Sequence, residues 1–467
     1  MRLGDIFDNW LYGMLHRLQT QFWLKDKPKI ISWTVSIFGV IFGQALLLSQ
    51  HPLTLIYADS PTYVHYTNTI LSGTSFGNYQ RTLGYPLFLL PFDIGGMHYR
   101  AVVIVQIVLA IIGFIEIYGL LYNLTRNRYY PAITVALLSI NLEFIQYERT
   151  ILTEELSIFC AITIFYTLER YLALRKKTYL LLAIVLLGFA MILRPAFIYL
   201  PVVLAAGILV YHYFCAKLPH VWLTALLMLL FPFGCIYLQM VINYVSPIHY
   251  FGFTNVSNIN NLGKILKYHM ELLTTDPKYA AIKQAAAQYV ASGHYQPVIF
   301  VNEYPQFRDP ANALAGAYAN NIIFHHLLLY LRYNLKDIIL TFTTKPFLLG
   351  IANRGIYRIL FYITNDGELL TYILLPFSIL LFLVSFLRKR SFRHNEALML
   401  ILAISALGMV ILSAVGSFNS YDRLRVPFEW AVYGVVIYSI VNTTKIYFLA
   451  KPQQFQKTKR KLGENNA

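Results

Sequence analysis

An aspartate stands directly before a helix-start pattern near the beginning of the chain. Asp59 is followed by Ser60 and Pro61, residue types favoured at the N-cap and at the first position of a helix. The positive end of a helix keeps a neighbouring carboxylate ionised, so Asp59 is predicted to accept a proton from an incoming hydroxyl group. Helix capping alone is the alternative explanation for this pattern.

An arginine precedes an apolar segment that is too short to cross a membrane. Arg81 opens the sequence Arg-Thr-Leu-Gly-Tyr-Pro-Leu-Phe-Leu-Leu-Pro, in which Gly84 and Pro86 interrupt a helix. We therefore predict a re-entrant or interfacial segment, with Arg81 at the depth of the lipid head groups. The forked donors of its guanidinium group suit a specific phosphate contact. The alternative is a side chain that extends to lipid phosphates without specificity.

Two further corners of the chain place arginine near proline. Arg194 precedes one proline directly, and Arg423 and Arg425 lie just before another. Each of these arginines alone is compatible with an isolated charge at a helix end. Together with Arg81 they predict a group of cations on one membrane face, as an anionic substrate carried by the membrane would require.

A third group of charges lies between two apolar segments. Four glutamates accompany one arginine there: Glu143, Glu148, Glu154 and Glu155 around Arg149. Glu154 and Glu155 are predicted at the outer end of a membrane span, where an unpaired charge is costly and is usually functional or paired. The alternative is a structural salt bridge from Arg149 to Glu148 or Glu154.

The composition predicts which elements must position these residues. Of the 467 residues, 57% are hydrophobic and 13% are charged, whereas a soluble domain carries about 25% charged residues. The apolar residues form blocks of about twenty, the length that crosses roughly 30 Å of hydrocarbon. We predict about ten spans, at 30–49, 100–122, 131–146, 150–171, 178–193, 196–214, 219–244, 368–387, 395–415 and 426–448.

The distribution of Lys and Arg predicts the orientation of these spans. The formal net charge is +16, but most basic residues lie at the ends of apolar blocks, which argues for membrane orientation and against nucleic-acid binding. The pattern predicts a plasma (inner) membrane protein with both termini cytoplasmic. The long outer segments are then 51–99 and 245–367, and long loops cross regardless of their charge.

Three regions follow from this arrangement. Residues 1–244 are predicted to form an N-terminal transmembrane catalytic module that includes the first outer loop. Residues 245–367 form an outer-face cap with amphipathic, interfacial helices. Residues 368–467 contain the last spans and a basic cytoplasmic tail. The three cysteines match no metal or disulfide spacing and are predicted to be small buried apolar residues.

These motifs together resemble a known family. An Asp that closes the first span, the Arg-x-x-Gly-Tyr-Pro segment, a Thr-Glu pair that opens the fourth span, and the Arg-Pro and Asp-Arg-x-Arg-x-Pro corners are similar to those of bacterial GT-C superfold glycosyltransferases related to protein mannosyltransferases. The resemblance implies an all-α polytopic membrane fold with interfacial helices in the first outer loop and a small outer-face cap. It also implies transfer of a sugar from a polyprenyl-phosphate donor to a glycan, lipid or protein acceptor at the outer face, with inversion.

The resemblance also implies roles for individual residues. Asp59 is the candidate general base, and Glu154 matches a second acidic residue at the site. The candidate donor-phosphate contacts are Arg81, Arg194 and Arg423. The further candidate substrate contacts are Tyr63, Tyr85, Glu148, Arg149, Glu155 and Arg425. Many family members carry a second acid beside the first-loop Asp, whereas this chain has Ser60 there.

The need for a metal and the exact activity stay open at this stage. Some relatives use a divalent metal and others do not, and no tight Asp/His spacing decides the question, so no cofactor is predicted as required. A polymerase of lipid-linked repeats is one alternative, and it would centre catalysis in the long loop. A lipid or sugar transporter is another, but it would need ionisable residues at mid-membrane, where Glu116 is the clearest example. A non-catalytic scaffold has no positive feature beyond the apolar bulk.

Overall fold

The computed structural model describes residues 27–50, 54–344, 355–389, 392–418 and 421–442. The predicted cytoplasmic N-terminal segment and basic C-terminal tail lie outside these residues. Within them the chain is almost entirely helical, and its recorded β-type pairing is a single parallel bridge between Leu55 and Thr150. The all-α fold class predicted from the sequence is confirmed.

The helices run in chain order as follows. The N-terminal half contains α1 (Lys27–Gln50), α2 (Ser60–Leu71), α3 (Gly84–Leu89), α4 (Tyr99–Thr125), α5 (Tyr129–Ser139), α6 (Leu142–Gln146), α7 (Glu154–Leu174), α8 (Lys177–Leu193), α9 (Leu200–Phe214) and α10 (Val221–Val245). The remainder contains α11 (Val256–Lys267), α12 (Ala280–Ala291), α13 (Pro297–Glu303), α14 (Ala313–His325), α15 (Leu327–Thr343), α16 (Ile356–Lys389), α17 (His394–Gly416), α18 (Tyr421–Arg425) and α19 (429–442).

Among the described residues, seven helices are long and apolar enough to cross a membrane: Tyr99–Thr125, Glu154–Leu174, Pro195–Phe214, Val221–Val245, Arg358–Arg388, His394–Gly416 and Arg423–Asn442. Three shorter apolar helical stretches, Ile37–Leu46, Tyr129–Ser139 and Lys177–Leu193, occupy the other predicted span positions. The chain is therefore a multi-pass membrane protein, and helical segments lie at each of the ten predicted span positions.

The third predicted span is not one continuous helix. Helix α5 has 11 residues and rises only about 16 Å, half the hydrocarbon thickness. Asn141 then caps a new helix, since its side chain accepts hydrogen bonds from the backbone N–H groups of Glu143 at 2.9 Å and Phe144 at 3.2 Å. The prediction of an unbroken span over 131–146 was wrong because an N-cap asparagine was hidden inside an apolar run.

The segment after α10 forms a cap with its own hydrophobic core. Leu262, Tyr289, Phe300 and Tyr318 are among the buried residues that pack together there, apart from the main bundle core. Helices α11 and α14 pack against each other within this cap, and α15 packs against α17 of the bundle. Residues 356–367, assigned to the outer segment from the sequence, are the first turns of α16.

A buried lysine joins the cap to the bundle. Lys264 on α11 lies 2.9 Å from the carboxylate of Asp337 on α15, and its Nζ also donates to the backbone carbonyl of Ala414 on α17. Because a buried charge is tolerated only when it is paired and hydrogen-bonded, these contacts hold the cap in one position over the bundle.

Candidate functional site

Asp59 ends the loop after the first span, and its side chain is bound by two arginines. It occupies the N-cap position of α2 but makes no side-chain capping hydrogen bond. Instead, Oδ1 accepts from Nη2 of Arg81 at 2.7 Å, and Oδ2 accepts from Nη1 of Arg423 at 2.7 Å. The capping explanation therefore does not account for this carboxylate, which is held as an ion-pair partner.

Arg81 is fixed in place by the helix that follows Asp59. Its Nε donates to Oγ1 of Thr62 at 2.8 Å, and its guanidinium carbon lies 4.6 Å above the ring of Tyr63. Its backbone N–H also donates to Oδ1 of Asn78 at 2.9 Å. These contacts orient the guanidinium group toward Asp59 before any substrate arrives.

The segment after Arg81 is pressed against the end of α8. A Cβ atom placed on Gly84 would lie 2.6 Å from the Cα of Leu193, so only glycine allows this approach. The hydroxyl of Thr82 donates to the carbonyl of Leu193 at 3.0 Å. Since Arg194 is the next residue, the contact brings two of the predicted arginines into one place. The predicted short, non-spanning helix is present as α3, with six residues.

Glu154 and the two remaining arginines form the inner part of the site. Glu154 begins α7 and is fully buried, and its Oε1 accepts from Nε of Arg423 and lies 3.5 Å from Nη2 of Arg194. Arg423 thus bridges Asp59 and Glu154, and its guanidinium carbon lies 5.0 Å from the centre of the Tyr57 ring. The structure brings together Asp59, Arg81, Glu154, Arg194 and Arg423, the five residues with predicted roles in catalysis and donor-phosphate binding. We call these five residues the arginine cluster.

The arginine cluster carries an excess of positive charge. Three guanidinium groups face two carboxylates, which leaves one net positive charge. Nη1 of Arg194 is buried and has no hydrogen-bond partner among the described residues. A donor group without an acceptor in a buried position is unfavourable. The cluster is therefore suited to receiving an additional anionic oxygen.

Exposure and electrostatics separate the outer carboxylate from the inner one. The side chain of Asp59 is 32% exposed, whereas that of Glu154 is 0% exposed. Burial acts to raise the pKa of Asp59, but attraction to Arg81 and Arg423 and hydrogen bonds from both outweigh it and lower that pKa. Asp59 is consequently ionised and is the carboxylate that an incoming molecule can reach.

The other candidate substrate contacts lie behind or away from the arginine cluster. Tyr63 is nearly buried and supports Arg81, while the hydroxyl of fully buried Tyr85 donates to Oε1 of Gln106 at 3.1 Å. Four more candidates are at most 2% exposed and outside the cluster: Glu148, Arg149, Glu155 and Arg425. In the described structure these residues present no surface to a substrate.

The alternative explanation for Arg149, a salt bridge to Glu148 or Glu154, does not hold among the described residues. Its Nη2 donates to the backbone carbonyl of Gln44 at 2.8 Å, and Glu148 accepts from the side chain of the same glutamine. No ion pair of Arg149 within 4.0 Å occurs among the described residues, and Glu154 pairs with Arg194 and Arg423 instead. Gln44 on α1 thus provides the hydrogen-bond partner of both Arg149 and Glu148.

The sequence reasoning missed several contributors. Tyr57 and Thr62 contact Arg423 and Arg81, and no motif distinguished them from ordinary loop residues. It also missed Glu368 and Glu429, which meet Glu143 in a separate buried group. Their position within apolar segments was an available signal, because a carboxylate within a membrane span is usually functional or paired.

Glu116, the clearest ionisable residue within a predicted span, accepts a hydrogen bond from Oγ1 of Thr163 at 2.6 Å, which is a contact within the helical bundle.

Comparison with known proteins adds an independent observation. The family model described as dolichyl-phosphate-mannose-protein mannosyltransferase matches residues 86–237, less than half of the chain. The matched part includes Glu154 and Arg194, whereas Asp59, Arg81 and Arg423 lie outside it. No curated protein sequence matches the chain.

Solved structures of two other proteins are similar to this chain. The archaeal oligosaccharyltransferase AglB from Archaeoglobus fulgidus, in complex with an inhibitory peptide and a dolichol-phosphate, has 13% sequence identity and a TM-score of 0.46, covering 91% of this chain and 52% of that one. ArnT from Cupriavidus metallidurans, bound to undecaprenyl phosphate, has 12% identity and a TM-score of 0.34, covering 88% of this chain and 77% of that one. The chain spans about half the length of the oligosaccharyltransferase.

Proposed function

We propose that this chain is a membrane glycosyltransferase that moves a sugar from a polyprenyl-phosphate-linked donor to an acceptor hydroxyl group at the outer face of the plasma membrane. The observation that carries the proposal is Asp59, a partly exposed carboxylate held between Arg81 and Arg423 in a cluster with one net positive charge. The family match over residues 86–237 supports the same class of chemistry.

The three arginines are suited to the phosphate of the donor. Guanidinium groups bind phosphate oxygens in pairs, and charge-assisted hydrogen bonds of this kind are about twice as strong as neutral ones. The leaving polyprenyl phosphate carries more negative charge than the phosphodiester donor, so the cations stabilise the departing group more than the bound substrate. Cations, and not an acid, are what such a leaving group needs.

Phosphate binding would also activate Asp59. A carboxylate whose pKa is lowered by two arginines is a weak base, because general-base catalysis works best when the pKa lies near the working pH. When the donor phosphate accepts hydrogen bonds from Arg81 and Arg423, its negative charge offsets the two guanidinium charges, and the pKa of Asp59 rises. Its oxygens are then free to accept a hydrogen bond from the acceptor, so the base becomes effective only in the presence of the donor.

The reaction is a single displacement. The acceptor oxygen bonds to the anomeric carbon while the bond from that carbon to the phosphate oxygen breaks. The hydroxyl proton passes to Asp59, and the electron pair leaves with polyprenyl phosphate. One displacement inverts the configuration at the anomeric carbon. Glu154, fully buried against Arg194 and Arg423, positions these two arginines from behind.

The proposal is tested with the purified protein and a panel of synthetic polyprenyl-phosphate sugars in the presence of a membrane extract as the source of acceptors. We expect release of polyprenyl phosphate and a product of inverted anomeric configuration by NMR spectroscopy. Arg100→Ala is the matched control for substitutions of the cluster arginines, because Arg100 is exposed at the start of α4 and lies outside the arginine cluster. Transfer from nucleotide-linked sugars alone would contradict the proposal, and a ladder of elongated products would indicate the polymerase alternative.

A further inference from the structure

Three carboxylates from distant parts of the chain meet inside the protein, away from the arginine cluster. Glu143 lies on α6, Glu368 on α16 and Glu429 at the start of α19, and each is fully buried. One oxygen from each residue lies within 4.8 Å of the other two. We call these three residues the glutamate trio.

Most oxygens of the glutamate trio accept no hydrogen bond from the rest of the described residues. Both carboxylate oxygens of Glu143, and Oε2 of Glu368 and of Glu429, are buried without a donor outside the trio in this part of the chain, and Glu368 lies within hydrogen-bond reach of the other two carboxyl groups. Asn365 lies one turn before Glu368 on α16, is 1% exposed, and its amide oxygen and nitrogen are also unpartnered there. Buried polar atoms of native proteins almost always have partners, so the orphaned oxygens around this point indicate a missing ligand.

The other oxygens show that the group is held in a fixed arrangement. Arg425 donates to Oε1 of Glu368, with its Nε at 3.1 Å. The amide of Asn141, the residue that caps α6, donates to Oε1 of Glu429. Each of these contacts uses Oε1 and leaves Oε2 of the same carboxylate without a donor outside the trio among the described residues.

The described residues do not balance the charges of the trio. Among them three carboxylates face one guanidinium group, that of Arg425, which leaves two negative charges in an apolar interior if all are ionised. Uncompensated buried charge is strongly unfavourable. Either protons or a cation of charge +2 would relieve it. Three carboxylates from separate elements that converge within 4.8 Å, with two negative charges in excess, match one cation of charge +2.

We propose that Glu143, Glu368 and Glu429 bind one divalent metal ion of the Mg²⁺ or Mn²⁺ type. Ligand sets made only of oxygen atoms select hard cations, whereas Zn²⁺ sites normally include His or Cys. Asn365, one turn before Glu368, carries an unpartnered buried amide oxygen, a ligand type that such ions accept, and water molecules complete their coordination.

The ion would position the arginine cluster without touching a substrate. Arg425 is bound to Glu368 and to the backbone carbonyls of Thr341 and Thr344. Arg423, two residues earlier on α18, reaches Asp59 and Glu154. By fixing the carboxylate that anchors Arg425, the metal ion stabilises the corner from which Arg423 extends. The binding proposal itself does not depend on the proposed enzymatic reaction.

The test uses the full-length purified protein, stripped with a chelator and titrated with Mn²⁺ alone, with bound metal measured by electron paramagnetic resonance. We expect one tightly bound ion per chain, competition by Mg²⁺, and a higher Tm in the presence of metal, because a ligand that binds only the folded state stabilises it. Glu143→Gln and Glu429→Gln are expected to lose this binding. Glu155→Gln is the matched control, since Glu155 is equally buried and unpartnered but lies outside the trio.

Two further measurements test for the metal ion without relying on the glutamate variants. Elemental analysis of the protein before chelation does not depend on the folding of any variant, and it should detect about one Mg²⁺ or Mn²⁺ per chain. The Asp59→Asn variant should bind Mn²⁺ as the unmodified protein does, because a loss there would move the metal to the arginine cluster. Absence of stoichiometric metal, together with a higher Tm for Glu143→Gln, would show that protons neutralise the trio instead.

Discussion

At the scale of single residues, Arg423 has the central place in the site. It is the only residue among those described that contacts both acids of the arginine cluster: Nη1 binds Asp59 at 2.7 Å, and Nε binds Glu154. Arg425, two positions later, is directed to Glu368. Residues two apart on a helix project about 200° from each other, so this short turn serves the arginine cluster on one side and the glutamate trio on the other.

Removing the charge of Asp59 tests its role as the base. In the Asp59→Asn variant we expect turnover to fall by about 10²–10⁴-fold, the usual contribution of a general base. Binding of polyprenyl phosphate should be kept or tightened, because Arg81 and Arg423 lose a competing partner. The measurements are sugar transfer and, separately, binding of the lipid phosphate alone. Full activity in this variant would remove Asp59 as the base and direct attention to Glu154 or the long outer loop.

Removing an arginine should give a different result. Arg81→Ala or Arg423→Ala loses a charge-assisted phosphate contact of about 1.5–3 kcal/mol, which corresponds to roughly 10- to 150-fold weaker binding of polyprenyl phosphate. The catalytic rate should also fall, since the leaving group is more highly charged than the bound donor. Arg100→Ala serves as the control. Unchanged lipid-phosphate affinity in both cluster variants would disprove the assignment of these arginines.

At the scale of elements, one close contact between helices positions the arginine cluster, and one helix cap positions the glutamate trio. Helix α3 can lie against the end of α8 because Gly84 has no side chain there. The Asn141 cap breaks the third apolar block and turns α6 inward, so that Glu143 reaches the interior. Neither feature follows from the apolar periodicity. The first brings Arg81 and Arg194 together, and the second brings Glu143 to the other two glutamates of the trio.

A methyl group at position 84, which is not part of the arginine cluster, should displace residues of that cluster. In Gly84→Ala the new Cβ would meet the backbone of Leu193, which cannot rotate away, and overpacking of this kind costs about 1–3 kcal/mol. We expect a lower Tm and weaker binding of polyprenyl phosphate, because Arg81 and Arg194 are held together by this contact. Gly234→Ala is the matched control, since a Cβ there meets nothing within 4 Å. Equal Tm values for the two variants would show that α3 can shift freely.

At the scale of the whole molecule, the helical bundle and its cap present the arginine cluster toward one end of the spans. The cap has its own buried core and is anchored by Lys264 to α15 and α17. Arginines from the first outer loop, the end of α8 and the turn before α19 meet under this arrangement. The predicted topology places that end on the outer face of the membrane.

The topology is checked by labelling single cysteines in a cysteine-free background. Asn302, exposed on the cap, should react with a membrane-impermeant reagent in intact cells when replaced by cysteine. Lys176, exposed in the turn between α7 and α8, should react only after the membrane is opened. Because the Lys and Arg distribution sets orientation, the reverse pattern would place the arginine cluster on the cytoplasmic side and exclude the proposed reaction.

The sequence by itself determined the helical class, the positions of the apolar blocks and the residue types of the site. Apolar runs of about twenty residues have few alternatives in a bilayer, where every backbone polar group must be satisfied internally. The resemblance to protein mannosyltransferases, read from short motifs, agrees with the family match over residues 86–237. The break at Asn141 escaped prediction because one polar residue does not alter the hydropathy of an apolar run.

Only the tertiary structure decided which charges are partners. Arg423 pairs with Glu154, 269 positions earlier, and with Asp59, 364 positions earlier, whereas Arg149, only five residues before Glu154 in the sequence, does not. Local spacing favours contacts within one helix, but buried charges take the partners that packing places within hydrogen-bond reach, because leaving them unpaired is so costly. The glutamate trio arises in the same way, from three helices whose crossing no pattern along the chain describes.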